Sequence, residues 1–222
     1  MNNTVICYYE PFPSAFSRDS LKLISMWKKS WAKNGWNVIV LNKEFAKQHS
    51  KYHEYDIDNF SNVLYNNWED KGYLRSCYRR LFAYCHFVDV NGPTLWADYD
   101  VMNYSFNPSF NIENNTILGS GTSVVYLDGY GSDNIIDNIF SKPISYDHRE
   151  NRMRFNPMKT VIKSRVFKKK LNIVQNDILT QYEKCKTSKF VHYHGGYMNL
   201  SPEKKFNTIH RSDFIQKFRP VI

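Results

Sequence analysis

The sequence predicts a single α/β domain with a central, mostly parallel sheet flanked by helices, and three observations carry that prediction. An N-terminal strand, helix and second strand follow one another, with two turn residues before the second strand, which is the βαβ signature of parallel pairing. A long amphipathic helix then runs directly into a third apolar strand, repeating the unit. The chain has 222 residues, at the upper end of the usual single-domain range and long enough to bury a core.

Thr4 to Tyr9 is strongly β-forming and is stopped by Pro11 and Pro13. Leu21, Ile24, Trp27 and Trp31 recur at helical spacing and predict a helix from about Ser17 to Lys33, ended by Asn34-Gly35. Trp36 to Leu41 is the second strand. Asn42 to Asp70 is polar and reads as a short helix plus loops. Leu74, Cys77, Tyr78, Leu81, Phe82 and Cys85 form the apolar stripe of the next helix, which Asn91-Gly92-Pro93 connects to the strand Thr94 to Val101. Thr116 to Gly119 and Thr122 to Leu127 read as strands, Ser132 to Ile139 and Asn176 to Glu183 as helices, and Phe190 to His194 as a last strand closed by Gly195-Gly196.

Aromatic residues make up 16% of the chain, which argues for a folded protein. No apolar run reaches the roughly eighteen residues of a membrane span, and Met1-Asn2-Asn3-Thr4 lacks the basic start of a signal peptide, so a cytoplasmic protein is expected. Cys7, Cys77, Cys85 and Cys185 have neither C-x-x-C nor zinc-finger spacing and are expected as free thiols. The net charge is +9, and residues 141–172 hold ten Lys and Arg against two acids. With Pro143 and Pro157, that segment reads as a basic flap within the domain, suited to an anionic nucleotide, a nucleic acid or an acidic membrane surface.

The chemistry points to Thr94-Leu95-Trp96-Ala97-Asp98-Tyr99-Asp100-Val101, an apolar strand ending in two carboxylates. Side chains at i and i+2 of an extended strand share a face, so Asp98 and Asp100 are expected to converge beyond its carboxyl end, where open α/β sheets bind ligands. Oxygen ligands of this kind suit Mg²⁺ or Mn²⁺ when a diphosphate completes the coordination.

Three motifs, in order, resemble those of nucleotide-sugar-dependent glycosyltransferases of the GT-A (Rossmann-like) fold. Arg75-Ser76-Cys77-Tyr78-Arg79-Arg80 and the D-x-D of Asp98 and Asp100 resemble the S-D-x-x-R helix and D-x-D strand of the yeast-type α-mannosyltransferase and toxin-type glucosyltransferase groups. His192-Tyr193-His194-Gly195 resembles the H-[FY]-x-G motif of the glycogenin and bacterial galactosyltransferase group. The resemblance implies a Mn²⁺- or Mg²⁺-dependent hexosyltransferase using a UDP-sugar, with a glycan or other hydroxyl acceptor and retention favoured over inversion. It implies Asp100 as a metal ligand, Asp98 as a metal or ribose ligand, and His192 as a third ligand chosen over His194 on the motif alignment. Arg80 takes the place of the sugar-nucleotide arginine, with Arg75 beside it. Tyr8, Tyr9 and Glu10 close the first strand, where a nucleobase could stack. Asp177 is the first candidate general base, with Asp128 and Asp133 in reserve. Cys77 stands where those families carry Asp, and Gly196-Tyr197-Met198 replaces Lys-Pro-Trp, so the donor's identity is not carried over.

Two rivals from other classes are a nucleic-acid-binding module using the basic segment and a metal-dependent nuclease or phosphatase using Asp98, Asp100 and His192. The first leaves the acid pair unexplained, since it would repel a phosphate backbone without a metal, so nucleic acid is disfavoured as a partner. The second would usually need more carboxylates. The sequence leaves oligomeric state open.

Overall fold

The computed structural model describes residues 3–11, 20–54, 71–119, 123–140, 146–147, 152–153, 167, 169–175, 182–193 and 211–221. The α/β prediction holds. The strands are β1 (Thr4–Tyr8), β2 (Asn37–Leu41), β3 (Thr94–Ala97), β4 (Val101–Asn103), β5 (Thr116–Gly119), β6 (Val124–Leu127), β7 (Tyr146–Asp147), β8 (Arg152–Met153), β9 (Lys169–Gln175) and β10 (Phe190–His192). The helices are α1 (Ser20–Ala32), α2 (Lys43–Ala46), α3 (Lys71–Asn91), α4 (Gly129–Phe140), α5 (Tyr182–Thr187) and α6 (Arg211–Phe218).

Eight strands form one sheet in the order β2-β1-β3-β6-β5-β9-β10-β4, and β7 and β8 pair separately. Four of its pairings are parallel, β1 with β2 and β3 and β9 with β5 and β10; three are antiparallel, around β6 and at β4. Parallel strands are typically covered on both faces, and here strict alternation divides the core in two. Val5, Cys7, Leu95, Ala97, Val124 and Tyr126 pack with Trp27, Trp31 and Ile215 from α1 and α6. Ile6, Tyr8, Trp96, Val125 and Leu127 pack with Leu81, Phe82, Cys85 and Ile135 from α3 and α4.

Helix α1 buries Leu23, Trp27 and Trp31, whereas Leu21, expected on the buried stripe, is 72% exposed. Gly35 stops the helix at φ 85, a backbone conformation that glycine adopts without cost. The Trp31 indole donates to the Val101 carbonyl at 3.1 Å and the Trp36 indole to that of Phe106 at 2.8 Å, fastening the chain after β3 to α1 and to the residue that leads into β2. The four cysteines are free, as expected. No helix among the described residues is long and apolar enough to cross a membrane.

Three features depart from the sequence reading. The strand expected from Thr94 to Val101 divides into β3 and β4 with a turn between them, because β4 pairs with β10 instead of continuing along β1. Residues 169–172, the end of the expected flap, belong to β9 inside the sheet. Of the rest of that flap, only the β7–β8 pair and Phe167 lie among the described residues. Helix α6 follows from no motif in the sequence reading.

Candidate metal and donor site

The turn after β3 builds the site. The Asp98 N–H donates to the Ser123 carbonyl at 2.8 Å, which ends β3 against the chain entering β6. The Val101 N–H then donates to the Asp98 carbonyl at 2.9 Å, closing a four-residue turn. Asp98 and Asp100 therefore converge through a turn, which corrects the expected extended i, i+2 geometry. Antiparallel pairing sets His192 opposite Val101, and the Tyr193 N–H donates to the Asp100 carbonyl at 2.9 Å. The result is a cluster in which ligand atoms of Asp98, Asp100 and His192 lie within 4.8 Å of one another.

Two arginines bracket the cluster. Arg80 of α3 donates to Asp98 Oδ1 at 2.8 Å, with its guanidinium 5.7 Å from the centre of the Trp96 ring. Arg211, the first residue of α6, donates to Asp100 Oδ2 at 3.0 Å. His192 Nε2 lies 3.2 Å from Asp100 Oδ1. Burial raises the Asp98 carboxyl above its ordinary value; Arg80 works against this and Asp100 adds to it. Burial opposes charging of His192, yet contact with the Asp100 carboxylate, aided by Asp98, raises its pKa above the ordinary value.

The donor set fits a divalent cation. The two carboxylates suit Mn²⁺ or Mg²⁺, the imidazole is a nitrogen ligand acceptable to Mn²⁺, and three protein ligands leave coordination positions for the oxygens of a diphosphate. Such a cation would be held by Asp98, Asp100 and His192.

Elsewhere the predicted residues separate. Tyr8 is buried and its hydroxyl donates to Glu10 Oε2 at 2.7 Å, while Arg79 ion-pairs with the other Glu10 oxygen and donates to the Tyr52 hydroxyl at 3.1 Å. This network fixes the chain leaving β1. Tyr9 stays half-buried and meets Tyr99, between the two acids, edge to face with centroids 6.3 Å apart. The pair forms an aromatic wall at the strand ends.

Asp128 lies at the other end of the sheet, since β6 runs antiparallel to β3 and pairs Leu127 with Thr94. There it caps α4, accepting from the Gly131 N–H at 2.9 Å and from Asn115 Nδ2 at 2.8 Å. Asp133 sits on α4 within the electrostatic reach of Cys85 and Asp89, on the half of α3 away from Arg80. Neither is brought to the cluster. Asp177 and His194, and the side chain of Arg75, lie outside the described residues.

Arg211 and Tyr99 were not singled out from the sequence. Phe214, Ile215 and Phe218 do carry the i, i+1, i+4 spacing of a helix face, a signal that could have located α6. That face packs on the site's own strand. Phe214 and Phe218 stack 5.6 Å apart and both meet Tyr193, whose hydroxyl is 2.7 Å from that of Tyr104. Arg219 donates to the carbonyls of Cys185 and Ser188 at 2.9 and 2.7 Å and lies over the Tyr104 ring.

No protein-family model and no curated protein matches the chain. Among solved structures, it is similar to a glycosyltransferase involved in glycosylation of the major capsid of PBCV-1, with a TM-score of 0.46, 14% identity, and 97% of this chain and 98% of that one covered. It is also similar to the glycosyltransferase GlyE of Streptococcus pneumoniae TIGR4 in its apo form, with a TM-score of 0.48 and 11% identity over 97% of this chain and 62% of GlyE. A second GlyE structure gives a TM-score of 0.46 and 12% identity over 86% of this chain and 55% of that one. At TM-scores below 0.5, none of these likenesses carries a function over to this chain.

Proposed function

We propose that the chain is a divalent-cation-dependent glycosyltransferase that moves a hexose-type sugar from a nucleoside diphosphate sugar, a UDP-sugar foremost, to a hydroxyl of a glycan or other acceptor. The observation that carries this reading is the cluster of Asp98 and Asp100, in the turn after a parallel strand, with His192 of β10, and Arg80 and Arg211 against its two carboxylates. Cleaving a sugar diphosphate releases a strongly anionic leaving group, and a bound divalent cation supplies Lewis-acid neutralisation of that charge.

This chain's own residues supply the rest. Asp98, Asp100 and His192 hold the cation at the strand end. Arg80 adds a cationic donor whose place is set by the Trp96 ring. Tyr9 and Tyr99 offer ring faces to a nucleobase, and the Glu10–Arg79 pair keeps the β1 end rigid beside them. Asp177 stays the candidate general base for the acceptor hydroxyl if the reaction inverts.

The test is nucleoside diphosphate release from a panel of UDP- and GDP-sugars with Mn²⁺ or Mg²⁺, run beside a nuclease assay. Slow cation-dependent release, with water as the substitute acceptor, is expected from the wild type, with loss in Asp100→Asn and reduction in His192→Ala. Cleavage of DNA or RNA that depends on Asp100, with no sugar nucleotide turned over, would overturn the reading.

A further inference from the structure

We infer that Arg211 is a diphosphate-binding residue that exchanges partners, holding Asp100 when cation and diphosphate are absent and turning to the diphosphate when both are present, so that the two ligands bind with positive coupling. This rests on the functional reading above and specifies how its site takes up charge.

Two carboxylates face two guanidiniums, Asp98 with Arg80 at 2.8 Å and Asp100 with Arg211 at 3.0 Å, so these four side chains sum to zero formal charge. A divalent cation alone would add two positive charges beside these two balanced pairs in a place where little water screens them, since the Arg211 and Asp100 side chains are only 13% and 12% exposed. The two phosphate charges of a nucleoside diphosphate sugar match that excess. A cation alone must therefore compete with Arg211 for Asp100, and a diphosphate alone meets two arginines already engaged by carboxylates. Together they complement the two pairs: cation to carboxylates, guanidinium to phosphate oxygens.

The helix makes Arg211 suited to this exchange. It is the first residue of α6, where the helix dipole disfavours a positive side chain, so the guanidinium depends on an outside anion. The backbone beneath it is held by buried Phe214 and Ile215 and by the Arg219 bonds to the carbonyls of Cys185 and Ser188. Partner exchange then needs a rotamer change of one side chain, with the helix in place. Linkage requires the effect to be reciprocal: diphosphate strengthens cation binding by the factor by which cation strengthens diphosphate binding, commonly about 5- to 150-fold.

Calorimetry on wild type, Arg211→Gln and Arg211→Lys, titrated with MnCl₂ alone and with UDP or GDP at saturating Mn²⁺, tests this. Arg211→Gln is expected to bind Mn²⁺ alone roughly fivefold or more tighter, because a competitor for Asp100 is gone. The same variant should bind the nucleoside diphosphate roughly tenfold or more weaker, because a charged donor is lost. Opposite signs are the signature, since a merely structural role would weaken both. Arg211→Lys keeps the charge without the planar fork, so Mn²⁺ affinity should stay near wild type and diphosphate affinity fall less than in the glutamine variant; it also carries the test if the glutamine variant does not fold. Wild type that binds diphosphate with Mn²⁺, with both affinities unchanged or both weakened in the variants, overturns this inference alone. Wild type that binds neither Mn²⁺ nor diphosphate overturns the functional reading and this inference with it.

Discussion

Asp100 ties the site together: its carboxylate faces His192 and Arg211, and its backbone carbonyl accepts from the Tyr193 N–H. Asp100→Asn keeps the shape and removes the charge. The variant is expected to lose Mn²⁺-supported nucleoside diphosphate binding by calorimetry, and to lose about 1–3 kcal/mol of stability in urea melts, because Arg211 and His192 lose an ionised partner. A second residue bears on how the fold responds to acid. His49 is 5% exposed between α2 and α3, with His86 and Phe82 around its ring, and burial, aided by His86 and Lys51, lowers its pKa to about 4. A histidine held neutral in the fold costs nothing above its ordinary pKa near 6.5; below it, the unfolded chain takes up the proton and the folded one does not. Stability should therefore fall as pH drops from about 6.5 to about 4, by up to about 3 kcal/mol. Chemical melts across that range should show a shallower decline in His49→Gln than in wild type. An identical decline in both would remove His49 from the account.

Single elements show which parts of the molecule the sequence could disclose. β1, α1, β2, α3 and the start of β3 follow from local periodicity and from Asn34-Gly35 and Asn91-Gly92, because each is shaped by its neighbours in the chain. The Asp98–Val101 turn, β9 and the β4–β10 pairing depend on partners many residues away, and no local pattern encodes them. His192 was thus legible as a motif, while the antiparallel register that sets it beside Asp100 was not. Residues near the start of α4 show the reverse: Asp128, read as a reserve base, is the N-cap, bound to the Gly131 N–H and to Asn115, whose φ of 58 lies in the left-handed region. Asp128→Ala should cost about 1 kcal/mol by thermal melts. It should also leave cation-dependent nucleoside diphosphate release near wild type, since the cap is at the far end of the sheet; a loss of release comparable to that of Asp100→Asn would restore Asp128 as a functional candidate.

At the scale of the whole molecule, the site is where distant parts of the chain meet: the turn after β3, the end of β10 and the start of α6. Cation and diphosphate bound there would join the N-terminal βαβ region to the C-terminal helix. Ligands that bind only the folded state add stability set by mass action, about 2.7 kcal/mol at a hundredfold excess over Kd. The melting temperature is therefore expected to rise with Mn²⁺ and UDP together by more than the sum of the separate rises. The most direct measurement of the central claim, that Asp98, Asp100 and His192 hold a divalent cation for a diphosphate, is anomalous scattering from crystals grown with Mn²⁺ and UDP. One manganese peak is expected within coordination distance of all three side chains and of diphosphate oxygens. Diphosphate bound with the manganese elsewhere, or no manganese at these residues, would contradict it.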